Sequence, residues 1–270
     1  MFDDSDSPVD FRLVKWADYV VIPAMFTNVS YIIKNMREIN DNIEFVMDMD
    51  TNYHELPEYH PDYKKLRPEL KEMMIGNLSQ VDILSAPNTQ ILNFYNDLVQ
   101  KHEEGFLLYF ERFPNLLSNF TFEEIPQINR NTTDKVRIGI ILDASQGNDL
   151  KTIEKPIAAL LEKHKQGVEF VLFGWSPKIA EQYEVLKALR ITYEKPVPFY
   201  DYHFKLNSLA FDIGLLPFVD NSYNTSGKSF NRLLDFSVNM VPVVAPNMIP
   251  LNKIIKDGET GFLVNPSETD

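Results

Sequence analysis

The sequence predicts an α/β protein in which two parallel, helix-covered sheets form two Rossmann-like domains. Three observations lead to this prediction. Apolar runs of strand length alternate with segments of helical periodicity along most of the 270 residues. A polar stretch without a period, residues 121–134, separates two such alternating blocks and is the expected linker. The chain is also long enough for two domains that each bury a core.

The first domain is expected to span residues 1–120. Its expected strands are Ala17–Met25, Ile43–Met49, Val81–Ala86 and Phe106–Phe110. Its expected helices are Phe26–Ile39, Pro68–Leu78 and a third that Asn88 caps and that ends near Gln100. Residues 50–68 are rich in Tyr, His, Pro and acids without a clean period, which predicts a long loop at the carboxyl ends of the strands.

The second domain is expected to span residues 135–270. Its expected strands are Val136–Leu142, Val168–Phe173, Ile191–Tyr193, Phe211–Phe218, Val241–Ala245 and Gly261–Val264. Its expected helices are Leu150–His164, Ala180–Leu189, Phe204–Leu209, one that opens at Ser226 and Gly227, and Leu251–Lys256. Ligands of such sheets bind at the carboxyl ends of the strands, so we expect a site in a cleft between the two domains.

Composition excludes several classes of function. A formal net charge of −13 argues against general nucleic-acid binding, which depends on Lys and Arg. The absence of cysteine excludes disulfides and thiolate metal sites. The N-terminus is acidic where a signal peptide is basic, and no apolar run approaches the roughly 18 residues that span a bilayer. We therefore expect a cytoplasmic protein without a membrane span.

The stretch Ala210–Ala245 carries the strongest functional signal. The polar loop Asn221–Ser226 lies between an expected strand and an expected helix start with Lys228 beside it. Backbone N–H groups and the positive end of a helix converge at such a place, which predicts an anion site. For Lys228 alone, a solvated lysine at a helix start is an equally open interpretation.

A phosphate-binding P-loop is the first interpretation to weigh for Ser226-Gly227-Lys228-Ser229. The full motif requires a glycine at the position that Ser222 occupies. The next expected strand, Val241–Ala245, also carries no acid that could hold magnesium. A P-loop ATPase is therefore the weakest of the candidate functions.

A series of spaced matches resembles the donor-binding region of group 1 (family 4-like) glycosyltransferases with the GT-B fold, in the subgroup with a K-S pair. The matching residues are Phe211–Pro217, Asn224, Lys228-Ser229, Asp235, Val241–Ala245 and the closing Ile255–Val264, which is similar to the family's I-x-D-G-x-T-G-x-L-V. Arg137–Ile141 with Asp149-Leu150 resembles the first strand and turn of the nucleotide-binding domain. Asp48-x-Asp50 resembles an acidic element of the acceptor domain.

This resemblance implies transfer of a sugar from a nucleotide diphosphate donor to a glycan, lipid-linked or protein acceptor, with retention at the anomeric carbon and neither a catalytic metal nor a cofactor, as in polysaccharide biosynthesis. The implied catalytic residues are Lys228 and Asn224. The implied donor-binding residues are Ser145, Asp149, Ser226, Gly227, Ser229 and Asp235. On the acceptor side, Asp48, Asp50 and His54 could act as base, sugar-binding groups or, as an alternative, metal ligands.

The sequence also departs from the family pattern. Asp235 replaces a glutamate that holds the ribose hydroxyls, Gly227 stands where many relatives carry an acid, and Met240 replaces a turn glycine. Family members are generally longer at both ends, so this chain is expected to be incomplete in both domains. The second hypothesis is therefore a catalytically silent GT-B-like module that binds a nucleotide sugar or a protein.

Overall fold

The computed structural model describes residues 11–102, 106–118, 123, 134–142, 146–174 and 191–265. It divides the chain into two compact units. The first contains Met1–His54 and Lys65–Pro114, and the second contains Glu55–Lys64 and Asn115–Asp270. The short segment Glu55–Lys64 thus belongs to the second unit, although its sequence position lies within the expected first domain. The expected helix Ala180–Leu189 and nearly all of the expected linker lie outside the described residues.

The first unit contains a four-stranded parallel sheet in the order β1-β2-β3-β4. The strands are β1 (Tyr19–Pro23), β2 (Glu44–Asp48), β3 (Ile83–Ala86) and β4 (Tyr109–Arg112). The helices are α1 (Phe11–Val14), α2 (Ser30–Ile39), α3 (Pro68–Leu78) and α4 (Thr89–Gln100). A 3-10 turn at Tyr53–Glu55 ends on the first residue of the segment that belongs to the second unit. The side chain of Asn88 accepts the N–H of Ile91, so the predicted cap of α4 is confirmed.

The second unit contains a six-stranded parallel sheet in the order β10-β9-β8-β5-β6-β7. The strands are β5 (Val136–Ile141), β6 (Val168–Phe173), β7 (Ile191–Glu194), β8 (Ile213–Leu215), β9 (Val243–Pro246) and β10 (Gly261–Val264). The helices are α5 (Gly147–Lys151), α6 (Glu154–His164), α7 (Phe199–Ser208) and α8 (Asn231–Val238), with a π-helical turn at Tyr223–Gly227 and a 3-10 turn at Leu251–Lys253. The predicted α/β class with two parallel sheets is confirmed.

Several predicted boundaries in the second unit were wrong. The expected strand Phe211–Phe218 is shorter, because only Ile213–Leu215 pairs with β5, and only Gly214 and Leu215 also pair with β9. The expected helix Leu150–His164 is split in two at Thr152, whose hydroxyl donates to the carbonyl of Asp149. Helix α7 begins at Phe199, directly after Pro198, which is earlier than expected.

Two glycines determine how closely aromatic rings approach the second sheet. Gly139 on β5 and Gly214 on β8 are paired in register. A Cβ at Gly139 would lie 2.5 Å from the ring of Phe211, and one at Gly214 would lie 2.6 Å from the ring of Phe236. The rings of Phe211 and Phe236 are buried, and their centroids lie 6.1 Å apart. They therefore occupy the space that larger side chains on the strands would need.

Candidate functional site

The strand order of the second sheet reverses at β5, which lies between β6 on one side and β8 on the other. Ligands of parallel sheets bind where the strand order reverses, at the carboxyl ends of the strands. Helix α5 follows β5 and contains Asp149, and the segment after β8 contains Val219, Asn224 and Lys228. Topology therefore brings the residues with the strongest sequence signal to the expected edge.

An ion pair links the two segments. The Nζ of Lys228 lies 2.6 Å from Oδ2 of Asp149. The side chain of Asp149 is fully buried and that of Lys228 is 11% exposed. The carboxylate of Asp149 does not reach solvent. It can therefore influence a ligand only indirectly, through Lys228 and the other groups that bind the carboxylate. Asp149 thus fixes the position of the Lys228 ammonium group.

Asn224 provides further support for the same carboxylate. Its Nδ2 donates to Oδ1 of Asp149 at 2.9 Å and to the carbonyl of Val219 at 2.7 Å. The backbone N–H of Val219 donates to the same carboxylate oxygen, also at 2.9 Å. Asn224 is fully buried, and its Oδ1 has no hydrogen-bond partner among the described residues. Asn224 therefore aligns Asp149 with its amide group and retains one unused acceptor.

The loop before Lys228 forms a π-helical turn instead of the expected start of a long helix. The Oδ1 of Asn221 accepts the N–H of Asn224 at 2.8 Å, and the hydroxyl of Thr225 donates to the carbonyl of Asn221 at 2.9 Å. Lys228 then has extended backbone angles, φ −93° and ψ 138°, and α8 begins only at Asn231. The prediction that Ser226 and Gly227 open a helix was wrong, because these side-chain hydrogen bonds favour a separate turn.

This correction changes the expected anion site. The ammonium of Lys228 reaches the site from an extended segment before α8, so it is not part of a helix N-terminus. Gly227 is buried at the end of the turn, and Ser229 is half-buried in the extended segment. Ser145 and the side chain of Ser226 lie outside the described part of the chain. Their proposed donor contacts stay predictions.

Two aromatic rings lie near the ammonium group. Its Nζ is 4.7 Å from the ring centroid of Phe218 and 5.8 Å from that of Tyr223. The faces of aromatic rings attract cations, and Phe218 and Tyr223 are both buried. The rings therefore pack against the ammonium group of Lys228 and help to shield it from water.

The segment Glu55–Lys64 also contacts the loop that precedes Lys228. The sequence alone did not predict this contact. The Nδ2 of Asn221 donates to the hydroxyl of Tyr59 at 2.8 Å across 162 residues of sequence. The rings of His60 and Tyr223 lie 5.8 Å apart in an edge-on arrangement. Burial raises the pKa of Tyr59, the hydrogen bond from Asn221 lowers it, and the charge of Asp149 raises it. The only sequence signal was the aromatic composition of the loop.

Asp235 lies in a different network of side chains. Its Oδ2 accepts the hydroxyl of Tyr202 at 2.7 Å and lies 3.3 Å from a guanidinium nitrogen of Arg232. Burial and the negative charge of Asp235 raise the pKa of Tyr202, whose ring stacks on Phe173 with a centroid distance of 5.5 Å. The carboxylate expected to hold the ribose is therefore engaged by two side chains of its own unit.

The three expected acceptor-side residues each have a partner within the first unit. Asp48 accepts the hydroxyl of Ser85 at 2.6 Å, and Asp50 accepts that of Tyr53 at 2.9 Å. The Nδ1 of His54 lies 3.1 Å from the hydroxyl of Tyr95, whose pKa is raised by burial. Within the described ranges, no three His, Asp or Glu side chains converge as a metal site would require.

Comparisons with known proteins identify the fold. No protein-family model matches the sequence, and no curated protein matches it. A structure of trehalose-6-phosphate synthase matches with a TM-score of 0.61 and 12% identity, covering 94% of this chain and 63% of that chain. Sucrose-phosphate synthase from Thermosynechococcus elongatus matches with a TM-score of 0.60 and 14% identity, covering 93% of this chain and 61% of that chain.

A third match is Anabaena HepE in complex with UDP and glucose, with a TM-score of 0.56, 14% identity and coverage of 96% of this chain and 67% of that chain. The chain spans only 61–67% of the length of these three structures. In the part of the chain that the structure describes, no helix is long and apolar enough to cross a membrane. The chain therefore shares an α/β fold, which contains two parallel sheets, with the GT-B glycosyltransferase structures that it matches.

Proposed function

We propose that this chain belongs to a glycosyltransferase that moves a sugar from a nucleoside diphosphate donor to a hydroxyl group of an acceptor. The observation that carries the proposal is the Lys228–Asp149 ion pair at the point of strand reversal in a GT-B-type sheet. A lysine that is held by a fully buried carboxylate presents a fixed positive charge at the place where such sheets bind ligands. The diphosphate of the donor would bind there.

The chemistry of transfer explains the need for this charge. The bond between the anomeric carbon and the diphosphate oxygen breaks, and a bond between the same carbon and the acceptor oxygen forms. The acceptor hydroxyl gives its proton to an oxygen of the departing diphosphate or to solvent, and the electrons of the broken bond remain on the diphosphate. A preorganised cation stabilises that growing negative charge in the transition state. Lys228 is the residue that we assign to this role, and Asn224 holds its partner in place.

The matched structures support a nucleotide-sugar donor. HepE was solved with UDP and glucose, and trehalose-6-phosphate synthase was studied with bisubstrate glycomimetics as an enzyme of glycosyl transfer with retention. By analogy, we propose that the reaction here retains the anomeric configuration and needs no metal, with a glycan, lipid-linked group or protein as acceptor. We also propose that the protein acts in the cytoplasm. The group 1 placement, on the residues quoted above, is part of the same proposal.

The second candidate is a catalytically silent module that binds a nucleotide sugar or a protein. One observation favours it: the carboxylate of Asp235 is occupied by Tyr202 and Arg232. A carboxylate in such a network is less available to the hydroxyls of a ribose. This candidate predicts nucleotide binding without turnover on any acceptor.

Calorimetric titration with uridine, guanosine and adenosine diphosphates tests the binding site. We expect at least one of them to bind, and we expect Lys228→Ala to weaken binding by about tenfold or more, since hydrogen bonds to charged groups contribute roughly 1.5–3 kcal/mol. Unchanged binding in this variant would refute the site. Release of the nucleotide from a panel of UDP- and GDP-sugars then separates the enzyme, which turns over, from the silent module.

A further inference from the structure

The segment Glu55–Lys64 supplies a residue that reaches the loop of the proposed donor site. We propose that Tyr59 is a positioning residue, which holds Asn221 and through it the loop that carries Asn224 and Lys228. This inference rests on the proposed function insofar as it concerns nucleotide affinity. Its structural part, the ordering of the loop, stands on the contacts alone.

A continuous series of hydrogen bonds connects Tyr59 with the ion pair. The hydroxyl of Tyr59 accepts from Nδ2 of Asn221 at 2.8 Å, and Oδ1 of Asn221 accepts the N–H of Asn224 at 2.8 Å. Asn224 in turn donates to Asp149, which pairs with Lys228. Each end of the Asn221 carboxamide therefore has a defined partner. Loss of the Tyr59 hydroxyl would release one end and allow the carboxamide to rotate.

Burial strengthens this effect. Tyr59 is partly buried, and burial is the main cause of its raised pKa, so the hydroxyl stays protonated at any physiological pH. A hydrogen bond that is shielded from water is stronger than an exposed one, and a buried polar atom that loses its partner carries a desolvation cost. The Nδ2 of Asn221 is part-buried, so it would incur some of that cost if the tyrosine hydroxyl were removed.

Neighbouring residues hold the segment in place. Leu56 is buried, and the Nδ1 of His60 accepts the N–H of Asp62 at 3.1 Å, which orients the His60 ring. That ring packs on Tyr223, whose own ring lies near the ammonium of Lys228. The segment thus contacts the loop at Asn221 and at Tyr223, on two successive residues of its own. Such a double contact fixes orientation better than a single hydrogen bond.

The substitution Tyr59→Phe removes only the hydroxyl group, and Tyr63→Phe in the same segment is the matched control because Tyr63 is 38% exposed. The first measurement is hydrogen–deuterium exchange of residues 219–228 without nucleotide. We expect faster exchange at 219–224 in Tyr59→Phe and none of this change in Tyr63→Phe. Exchange equal to that of the wild type would overturn the proposal, whether or not the protein binds a nucleotide.

The second measurement is the affinity for uridine and guanosine diphosphates. We expect Tyr59→Phe to weaken binding about three- to tenfold, the range that one hydrogen bond provides. In an Asn221→Ala background the same substitution should have little further effect, because Tyr59 acts through Asn221. If the losses of binding free energy from the two substitutions were fully additive, Tyr59 would not act through Asn221. A wild-type protein that binds no nucleoside diphosphate would refute the proposed function, and the exchange measurement would still decide the role of Tyr59.

Discussion

Lys228 and Asp149 are 79 residues apart in sequence and form an ion pair 2.6 Å long in which the carboxylate is fully buried. Three N–H donors surround that carboxylate, from Lys228, Asn224 and the backbone of Val219. Loss of one partner of a buried pair is costly because the other charge stays buried without compensation. The pair should therefore affect stability as well as binding, and the two effects can be separated.

Lys228→Ala is expected to lower the free energy of unfolding by about 3–5 kcal/mol, the usual cost of an uncompensated buried charge. The control is Lys205→Ala, whose partner Glu194 is 29% exposed and whose loss should cost about 0–1 kcal/mol. Scanning calorimetry measures both. In the double variant Lys228→Gln, Asp149→Asn, most of the stability should return while nucleotide binding stays weak. Restored binding in that variant would show that the positive charge is not needed.

A ribose contact at Asp235 can be tested by comparing uridine diphosphate with 2′-deoxyuridine diphosphate. If Asp235 holds the ribose hydroxyls, the wild type should prefer the ribonucleotide by roughly tenfold or more, since hydrogen bonds to a charged group contribute about 1.5–3 kcal/mol. Asp235→Ala should bind both nucleotides alike. The control Tyr202→Phe removes a bond to the carboxylate but leaves the carboxylate itself, so the preference should persist. A full preference in Asp235→Ala would exclude the ribose contact.

Alkaline pH should destabilise both units through buried tyrosines. Burial raises the pKa of Tyr95 in the first unit and of Tyr202 in the second above the usual value of about 10. Below that pH both the folded and the unfolded chain keep these protons, and stability does not depend on them. At higher pH the unfolded chain releases protons that the folded chain retains, so the free energy of unfolding falls by up to about 1.4 kcal/mol per pH unit for each tyrosine.

The variants Tyr95→Phe and Tyr202→Phe isolate these contributions. Between about pH 10 and 11, the free energy of unfolding should fall less steeply in each variant than in the wild type. The reason is that each variant lacks one hydroxyl that holds its proton more tightly in the folded chain. Urea denaturation at a series of pH values measures this slope. Ultraviolet absorbance of tyrosinate should also show delayed ionisation in the folded wild type. A slope in both variants equal to that of the wild type would show that these hydroxyls titrate normally.

Gly214→Ala is expected to destabilise the second unit by about 1–3 kcal/mol, because the added methyl group would overlap the ring of Phe236. Gly76→Ala is the contrasting case. Gly76 lies within α3 with no atom within 4 Å of an added Cβ, so alanine should stabilise by about 0.5–1 kcal/mol. Calorimetry measures both shifts, and Gly214→Ala with Phe236→Leu should recover part of the loss. An unchanged melting temperature for Gly214→Ala would contradict the close packing.

The sequence predicted where strands occur along the chain, though not all of their bounds, and one helix cap, because these signals are local. The run Val168–Phe173 was expected with the bounds that β6 has, and the cap at Asn88 needs only its own helix. The turn at Tyr223–Gly227 was missed because it depends on hydrogen bonds from side chains within the loop. The contact of Tyr59 with Asn221 joins distant segments, and no local pattern indicates it. The hydrogen bond from the Tyr202 hydroxyl to Asp235 also joins separate segments and has no local sequence signal.

Because Glu55–Lys64 belongs to the second unit, neither unit is a single uninterrupted piece of the chain. The polypeptide passes between the units at three places, after His54, Lys64 and Pro114. One cut cannot separate the two units, and a fragment that begins at Asn115 would lack Tyr59 and His60. The order of synthesis has a related consequence. Residues 55–64 are synthesised well before residues 115–270, so they can pack into the second unit only after that later part of the chain has been made.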